Sequence, residues 1–402
     1  MTVCMTNATR PLWRNRDFML LWSGQVVSTV GVRASGMAYP LLVLAVTGSP
    51  VQAGMVGFAQ TLPYVLFYLV AGALVDRWDR KVIMLVSDAG RAVAMGSVVV
   101  ALAFNGLTLA QIVAAAFVEG TLFIFFQLSE SAALPRVVDK GQLPAALAQN
   151  QAREYGAELA GQPLGGLLFS VNRMLPFLLD TLSYVVSFVT VLLIRSPLQE
   201  KRQPGRLWAD VGEGLRWLVR QRFLSALVVL IGLTNIVFSA LPLATIVRAR
   251  ELGAAPAVIG LLFTMLGVGA ILGSIVAPWL QRRLPGRTIV VGALWLWAVE
   301  LAFVPFANGV VWLGIVVAAT SLTGPAFNVL VASYRYALTP DRLQGRTQSA
   351  ARLFTWGTMP LGALAGGFLL ESTGARTTFV IMVSAMVIIS LMAMLLRGWP
   401  NE

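Results

Sequence analysis

Residues 72–81 read Gly72-Ala73-Leu74-Val75-Asp76-Arg77-Trp78-Asp79-Arg80-Lys81, a charged turn set between two long apolar runs. A turn this tight between two membrane-length segments needs anchoring. A weak copy follows at an offset of 201 residues, half the chain: Gly72-x-Leu74-Val75-x-x-Trp78 is echoed by Gly273-x-Ile275-Val276-x-x-Trp279, again followed by arginines, Arg282 and Arg283. Recurrence at half the chain length marks a duplicated unit.

Composition sets the solvent. The 402 residues are 57% hydrophobic and only 12% charged, about half the charge of a soluble protein of this size, and the mean hydropathy is +0.77. No polar stretch is long enough for a separate soluble domain. The single cysteine, Cys4, rules out an internal disulfide, and the absence of histidine leaves carboxylates to carry any proton relay.

A membrane span needs about 20 apolar residues. Twelve candidates are read at 17–46, 51–75, 81–104, 108–132, 144–170, 174–196, 223–250, 256–280, 287–307, 309–335, 346–371 and 374–397. Arg10, Arg14 and Arg16 precede a first apolar run too long for a signal sequence. It reads as a span entering from the cytoplasm. The longest polar stretch, 197–222, falls halfway along. It is expected to carry a short amphipathic helix at the membrane surface, with Trp208, Leu215, Trp217 and Leu218 on one side. The expected division is therefore 1–196 as one six-helix bundle, 197–222 as a cytoplasmic linker and 223–402 as a second bundle.

Charge orients this arrangement. With the N-terminus inside, 23 Lys and Arg residues fall in inside segments and four (Arg173, Arg248, Arg250, Arg376) outside, with Arg33, Arg91 and Arg153 within spans. This bias predicts that both termini are cytoplasmic. It accounts for a net charge of +12 through anionic lipid, without nucleic acid. A second echo, Pro163-Leu164-Gly165-Gly166-Leu167 against Pro360-Leu361-Gly362-Ala363-Leu364, adds to the case for two parallel copies, a construction common among secondary transporters.

Two six-span halves, a basic central loop and the 72–81 turn together resemble the major facilitator superfamily over essentially the whole chain. The turn matches the superfamily's loop signature at Gly72, Leu74, Asp76, Arg77, Arg80 and Lys81, with Val75 for alanine and Asp79 for glycine. The Asp79 form is similar to that of macrolide-efflux and enterobactin-exporter proteins. The resemblance implies a latch: Asp76 caps the N-terminus of span eleven, near 346–352, while Arg77, Arg80 and Lys81 pair with carboxylates on neighbouring helices and hold the halves together when the cytoplasmic side is closed. The plainer alternative is a set of positive-inside anchors. An exporter signature of the superfamily in span five is similar to Gly161-Gln162-Pro163-Leu164-Gly165-Gly166, with the proline displaced by one place. Helix packing alone also accounts for such glycines.

Buried charges are the candidate chemistry. Arg33 in span one and Glu119 in span four lie at similar depth on helices that the resemblance places around a central cavity. Relatives often carry an acid near residues 31–33. The pair reads either as a proton-titrating acid tuned by arginine or as a static salt bridge. Glu154 and Glu158, one turn apart in span five, are candidate partners for Arg80 or Arg352 and secondary candidates for proton carriage. Asp180 and Glu300 are further buried acids, read first as structural, and Asp88 with Arg91 reads as an intrahelical pair. The expected cavity is lined by Phe123, Phe126 and Gln127 on one side and by Asn235, Thr320 and Asn328 on the other. Trp295 and Trp297 read as packing or lipid-facing residues.

These readings lead to an all-α membrane protein of twelve helices in two pseudo-symmetric bundles. There is no Gly-x-x-x-x-Gly-Lys-Ser/Thr loop, so energy is expected from an ion gradient. The expected function is proton-coupled export of drug-like or natural-product molecules by a monomer in a bacterial plasma membrane, with no cofactor, no metal and no enzymatic activity. Three lysines against 27 arginines point to a GC-rich bacterial genome. Export of a siderophore or lipid, and a non-transporting sensor on the same scaffold, are the alternatives.

Overall fold

In a computed structural model the protein is helical throughout the residues it describes, which are 11–199, 207–340, 343–396 and 398–399, with backbone alone at 140, 207–211 and 345. Cys4, Arg10, Lys201, Arg202, Arg206, Arg342 and Arg397 lie outside the described residues, as does the Trp208 side chain. The first bundle comprises α1 (Arg16–Thr47), α2 (Pro50–Arg77), α3 (Arg80–Ala103), α4 (Leu109–Val137), α5 (Leu143–Val171) and α6 (Leu175–Leu192). The connecting α7 (Leu207–Arg220) leads into α8 (Arg222–Glu251), α9 (Pro256–Arg283), α10 (Gly286–Ala302), α11 (Val310–Ala319), α12 (Gly324–Leu338), α13 (Gln344–Gly357) and α14 (Met359–Leu395).

Local chemistry places the boundaries. Asn15, Ser49, Asp79 and Thr108 each accept a backbone N–H in the first turn of the helix that follows, satisfying donors that a helix start leaves open. Asp79 thereby has a local reason to stand where the superfamily carries glycine: it caps α3. Gly48, at φ 70°, ends α1, and Gly374, at φ 77°, folds the hairpin within α14.

Among the described residues ten segments are long and apolar enough to cross a membrane. One of them, Arg346–Leu395, is the hairpin folded at Gly374 and crosses twice. The twelfth crossing is α5, whose apolarity is lowered by Arg153, Glu154 and Glu158. Val93, Val189, Ile275, Val311 and Leu391 stand exposed on outer helix faces, as suits a protein solvated by lipid.

Two spans expected to be continuous are broken. Span ten divides into α11 and α12 across 320–323, and span eleven into α13 and α14 at Thr358. Each second piece has proline as its second residue, Pro325 or Pro360, which cannot donate to the preceding turn.

The duplication is visible in contacts, but its register differs from both echoes. A β-carbon added at Gly166 would stand 2.5 Å from the Pro256 carbonyl and 2.8 Å from Gly260 Cα; one at Gly367 would stand 2.7 Å from the Pro50 carbonyl and 3.1 Å from Gly54 Cα. Likewise Gly161 packs on Val30 and Arg33 and Gly165 on Ala34, while Gly362 packs on Ile236 and Gly366 on Ala240. Equivalent residues are therefore 201 apart between α5 and α14, and 206 apart between α1–α2 and α8–α9. By this register Gly72 corresponds to Pro278 rather than Gly273, and Pro163 to Leu364 rather than Pro360. Each echo joins equivalent spans at residues that are not equivalent. Close helix approach is what the repeat preserves, and it depends on small residues at helical spacing rather than on the look of a loop.

Both described chain ends lie at one end of the bundle. Asn15 Nδ2 donates to Val137 O at the close of α4, and Trp399 packs edge-on against Phe223 at the start of α8. This is also the end that carries the 72–81 turn, and it is called the basic end below.

Candidate substrate cavity and buried polar cluster

The two bundles meet along α2 against α14 and along α5 against α9. At the end opposite the basic end the glycine contacts bring these helices together backbone to backbone. Toward the basic end a cavity of about 560 Å³ opens in the first bundle, running from Arg33, Phe123 and Phe126 past Gln127 to Leu147 and Asn150 in the first turns of α5.

Its wall is charged. The Arg33 guanidinium lies 3.5 Å from Glu154 and 3.8 Å from Glu158, and all three side chains are about two-fifths exposed to the cavity. Gly161 makes this possible, since an added β-carbon there would stand 2.5 Å from that of Arg33. Gln162 Nε2 donates to Glu158 at 3.3 Å. Arg153 reaches Glu130 at 2.6 Å and Glu154 at 3.0 Å. The expected Arg33–Glu119 pair is thus replaced by Arg33 with the two span-five acids. Those acids in turn meet Arg33 and Arg153 rather than Arg80 or Arg352. Three carboxylates, Glu130, Glu154 and Glu158, and three guanidiniums, Arg33, Arg91 and Arg153, border the cavity, with Arg91 held by Asp88.

The glycines of the span-five motif serve helix packing. Gly161 and Gly165 seat α5 on α1, while Gly166 and the backbone of Gln162 and Pro163 seat it on Gly260 of α9.

Behind the cavity wall lies a polar cluster with almost no exposure. Asp88, Glu119, Asp180 and Arg91 are all buried. Glu119 accepts from Gln60 Nε2 at 3.2 Å and from the Tyr184 hydroxyl at 3.3 Å. Gly120 lets α4 close onto the Gln60 backbone. Arg91 binds Asp88 at 2.5 Å and is sandwiched between the rings of Phe126 and Tyr184, 4.7 and 4.4 Å away. Ser187 Oγ donates to Asp88 at 2.6 Å and receives Gln25 Nε2 at 2.8 Å. Ser35 Oγ donates to Asp180 at 2.6 Å.

The resemblance places an acid on span one near residues 31–33. Here a β-carbon added at Gly31 would meet Asp180 Oδ1 at 2.9 Å, so a neighbouring helix delivers a carboxylate to that place. Gln25 and Arg91 border both the cluster and the cavity. Three buried carboxyl groups and one guanidinium make a set whose charge balance depends on bound protons. Gln60, Tyr184, Ser35 and Ser187 escaped the sequence reading. Asp180, Ser183, Tyr184 and Ser187, three and four apart on one helix, were the available signal.

The 72–81 turn is tied to backbone carbonyls through Arg80 and Lys81. Arg80 Nη1 donates to the carbonyls of Ala132 at 2.9 Å and Leu198 at 3.1 Å, and its guanidinium lies 4.0 Å from Asp76. Lys81 Nζ donates to Leu192 and Ile194 carbonyls at 2.9 and 2.7 Å, satisfying acceptors that the end of α6 leaves open. For Lys81 the expected carboxylate partner on a neighbouring helix is replaced by carbonyls at and just beyond the end of α6, while Arg80 binds carbonyls of α4 and of the segment after α6 beside Asp76. Arg77 is exposed and Gly72 has open space beside it.

The second bundle contributes differently from expectation. Thr320 is buried, its hydroxyl bonded to Val317 O, and its own carbonyl receives Trp297 Nε1 at 2.7 Å. Asn235 Nδ2 donates to Thr355 O at 2.8 Å. Both bonds serve carbonyls freed by the breaks in spans ten and eleven. The cavity around Arg33 is lined by the first bundle, and Asn235, Thr320 and Asn328 do not border it.

Comparison with known proteins agrees with this architecture. The family model for transmembrane secretion effectors, of the major facilitator superfamily, matches residues 6–401. The chain is 30% identical over 182 residues to macrolide efflux protein A of Streptococcus pyogenes, a match spanning 45% of each chain. It is 23% identical to the multidrug efflux pump Tap of Mycolicibacterium fortuitum, over 98% of this chain and 97% of that one. Among solved structures the nucleoside transporter NupG superposes with a TM-score of 0.81 at 12% identity, covering 96% of this chain and 100% of that one. An inward-facing bacterial homologue of ferroportin gives 0.75 at 17%, covering 96% and 99%.

Proposed function

The chain belongs to the transmembrane secretion effector family of the major facilitator superfamily, membrane transporters rather than enzymes, and from that premise we propose that it exports amphipathic drug-like or natural-product molecules in exchange for protons. The relatives named for macrolide and multidrug efflux support the direction and the substrate class.

In this reading the basic end is cytoplasmic and both termini lie there, an orientation that the distribution of Lys and Arg supports. Residues 1–196 and 223–402 are the two moving bundles, joined by 197–222, and one chain encloses the cavity and works as a monomer. The structure is then the state open to the cytoplasm. Asp76 as a cap on span eleven belongs to the opposite state.

The observation that carries the proposal is the charged cavity adjoining a buried carboxyl cluster. Phe123 and Phe126 offer apolar surface, and with Arg91 committed to Asp88 and the buried Arg153 to Glu130 and Glu154, the accessible Glu154 and Glu158 share the accessible Arg33 guanidinium, which favours a substrate with a basic amine. Such a cation competes with Arg33 for Glu154 and Glu158. The cluster behind supplies acids that take up a proton in one orientation and release it in the other. Glu119 and Asp180 are the central candidates, with Glu158 facing the substrate.

The test has two stages. A pump-deficient bacterial host with and without the protein is challenged with a compound panel, and resistance to amphipathic amines is expected. Purified protein in liposomes is then given a pH gradient, and uptake of a protective compound against proton flow is expected. Resistance without gradient-driven flux would overturn proton exchange; no flux of any compound would favour a sensor.

A further inference from the structure

At the end opposite the basic end, two side chains cross from one bundle to cap a helix of the other. Glu371, at the close of span eleven, accepts from the Val51 backbone N–H at 3.0 Å and from the Ser49 hydroxyl. Ser49 is itself the N-cap of α2. Ser170, at the close of α5, accepts from the Ala257 backbone N–H at 2.9 Å, in the first turn of α9. Glu371 and Ser170 are 201 residues apart, the offset of the internal repeat in these helices. Each stands four residues after the glycine, Gly367 or Gly166, that touches the carbonyl of the proline starting the capped helix. The two contacts are one device present twice.

We propose that Glu371 and Ser170 form the outer gate of the transport cycle, each closing it by capping a helix N-terminus in the other bundle. The inference rests on the alternating-access reading above. A helix N-terminus concentrates unpaired N–H groups and partial positive charge, and its partner is lost when the bundles separate. Such a bond is made only in the state closed at this end. The two caps are unequal: a carboxylate holds α2 and a hydroxyl holds α9, and a charged acceptor binds a helix start more strongly than a neutral one. The α2 cap is therefore the stronger lock, and opening begins between α5 and α9.

The test reads conformation directly. In a Cys4→Ser background, Ala363→Cys places a thiol beside Gly57, inward of the Glu371 cap. Its reaction with a membrane-impermeant maleimide added outside intact cells reports outward opening. Glu371→Ala is expected to raise the labelling rate about five-fold, the population shift expected from one lost helix cap. Ser170→Ala is expected to raise it less, the double variant more than either, and Glu371→Gln, which keeps an acceptor oxygen, by an intermediate amount. A second reporter, Gln151→Cys in the cavity, labelled in inverted vesicles, is expected to slow in the same variants. Loss of folding would instead speed both reporters. Unchanged labelling of Ala363→Cys in Glu371→Ala and in the double variant would overturn the gate. Because labelling needs no substrate, a gate that responds in a protein that moves no compound would leave this inference standing and sink the transport reading alone.

Discussion

Glu119 of α4 is held by Gln60 of α2, whose side-chain amide donates to it at 3.2 Å, while Tyr184 of α6 approaches from the other side at 3.3 Å. Neutral donors from two helices, rather than a salt bridge to Arg33, surround this acid. The acid thereby links α4 to both α2 and α6.

If Glu119 carries the exchanged proton, Glu119→Gln is expected to abolish efflux driven by a pH gradient. Glutamine keeps the acceptor oxygen for Gln60 or Tyr184, so substrate binding and exchange between equal substrate pools are expected to survive. Both are measured in liposomes with the same protein. Efflux that persists would move the coupling site to Asp180, whose carboxylate fills the space beside Gly31.

The cavity wall predicts a preference by charge. Glu158→Gln is expected to weaken binding of a monocationic substrate about tenfold, the loss of one partly solvated ion pair, and to leave an uncharged analogue of the same shape unchanged. Arg33→Ala removes the built-in competitor and is expected to tighten the cation. Equal effects on charged and neutral analogues would show that shape alone selects the ligand.

Arg153 is a stability residue as much as a site residue. Its bond to Glu130 at 2.6 Å joins two buried side chains. Arg153→Ala strands a buried carboxylate and is expected to cost about 3–5 kcal/mol, read as a fall in the thermal unfolding midpoint in detergent. The double variant Arg153→Met, Glu130→Leu is expected to recover most of that loss without recovering transport.

Asp76→Asn keeps the shape of the turn and removes its charge. Expression is expected to stay near the parent level, because Arg80, Lys81 and the Asp79 cap anchor the turn. Transport is expected to fall, because the cap on span eleven in the opposite state is weakened. Parent-level transport would reduce Asp76 to an anchor of topology.

Much of the architecture was legible. Apolar runs located the crossings because lipid demands them, and 144–170 reads as a span despite its three charges. The breaks at 320–323 and Thr358 were not found. Proline in a membrane span is compatible with either a kink or a break, and the choice depends on whether neighbours such as Trp297 and Asn235 can satisfy the freed carbonyls. The echoes named the right helices in the wrong register. Loop residues diverge freely, whereas the glycines at 161, 165 and 166 and at 362, 366 and 367 are held by contact with other helices.

Chain composition and spacing alone determined the solvent, the twelve crossings, the duplication and the identity of the intramembrane charges. These follow from hydrophobicity and helical period, which are properties of a segment. The partners of those charges were decided by the tertiary structure. Arg33 turns from Glu119 to Glu154 and Glu158 because Gly161 admits it against α5, and Asp180 reaches the place beside Gly31 from another helix. Which side chain meets which is set by helix rotation and depth, and those are fixed only when all the helices pack at once.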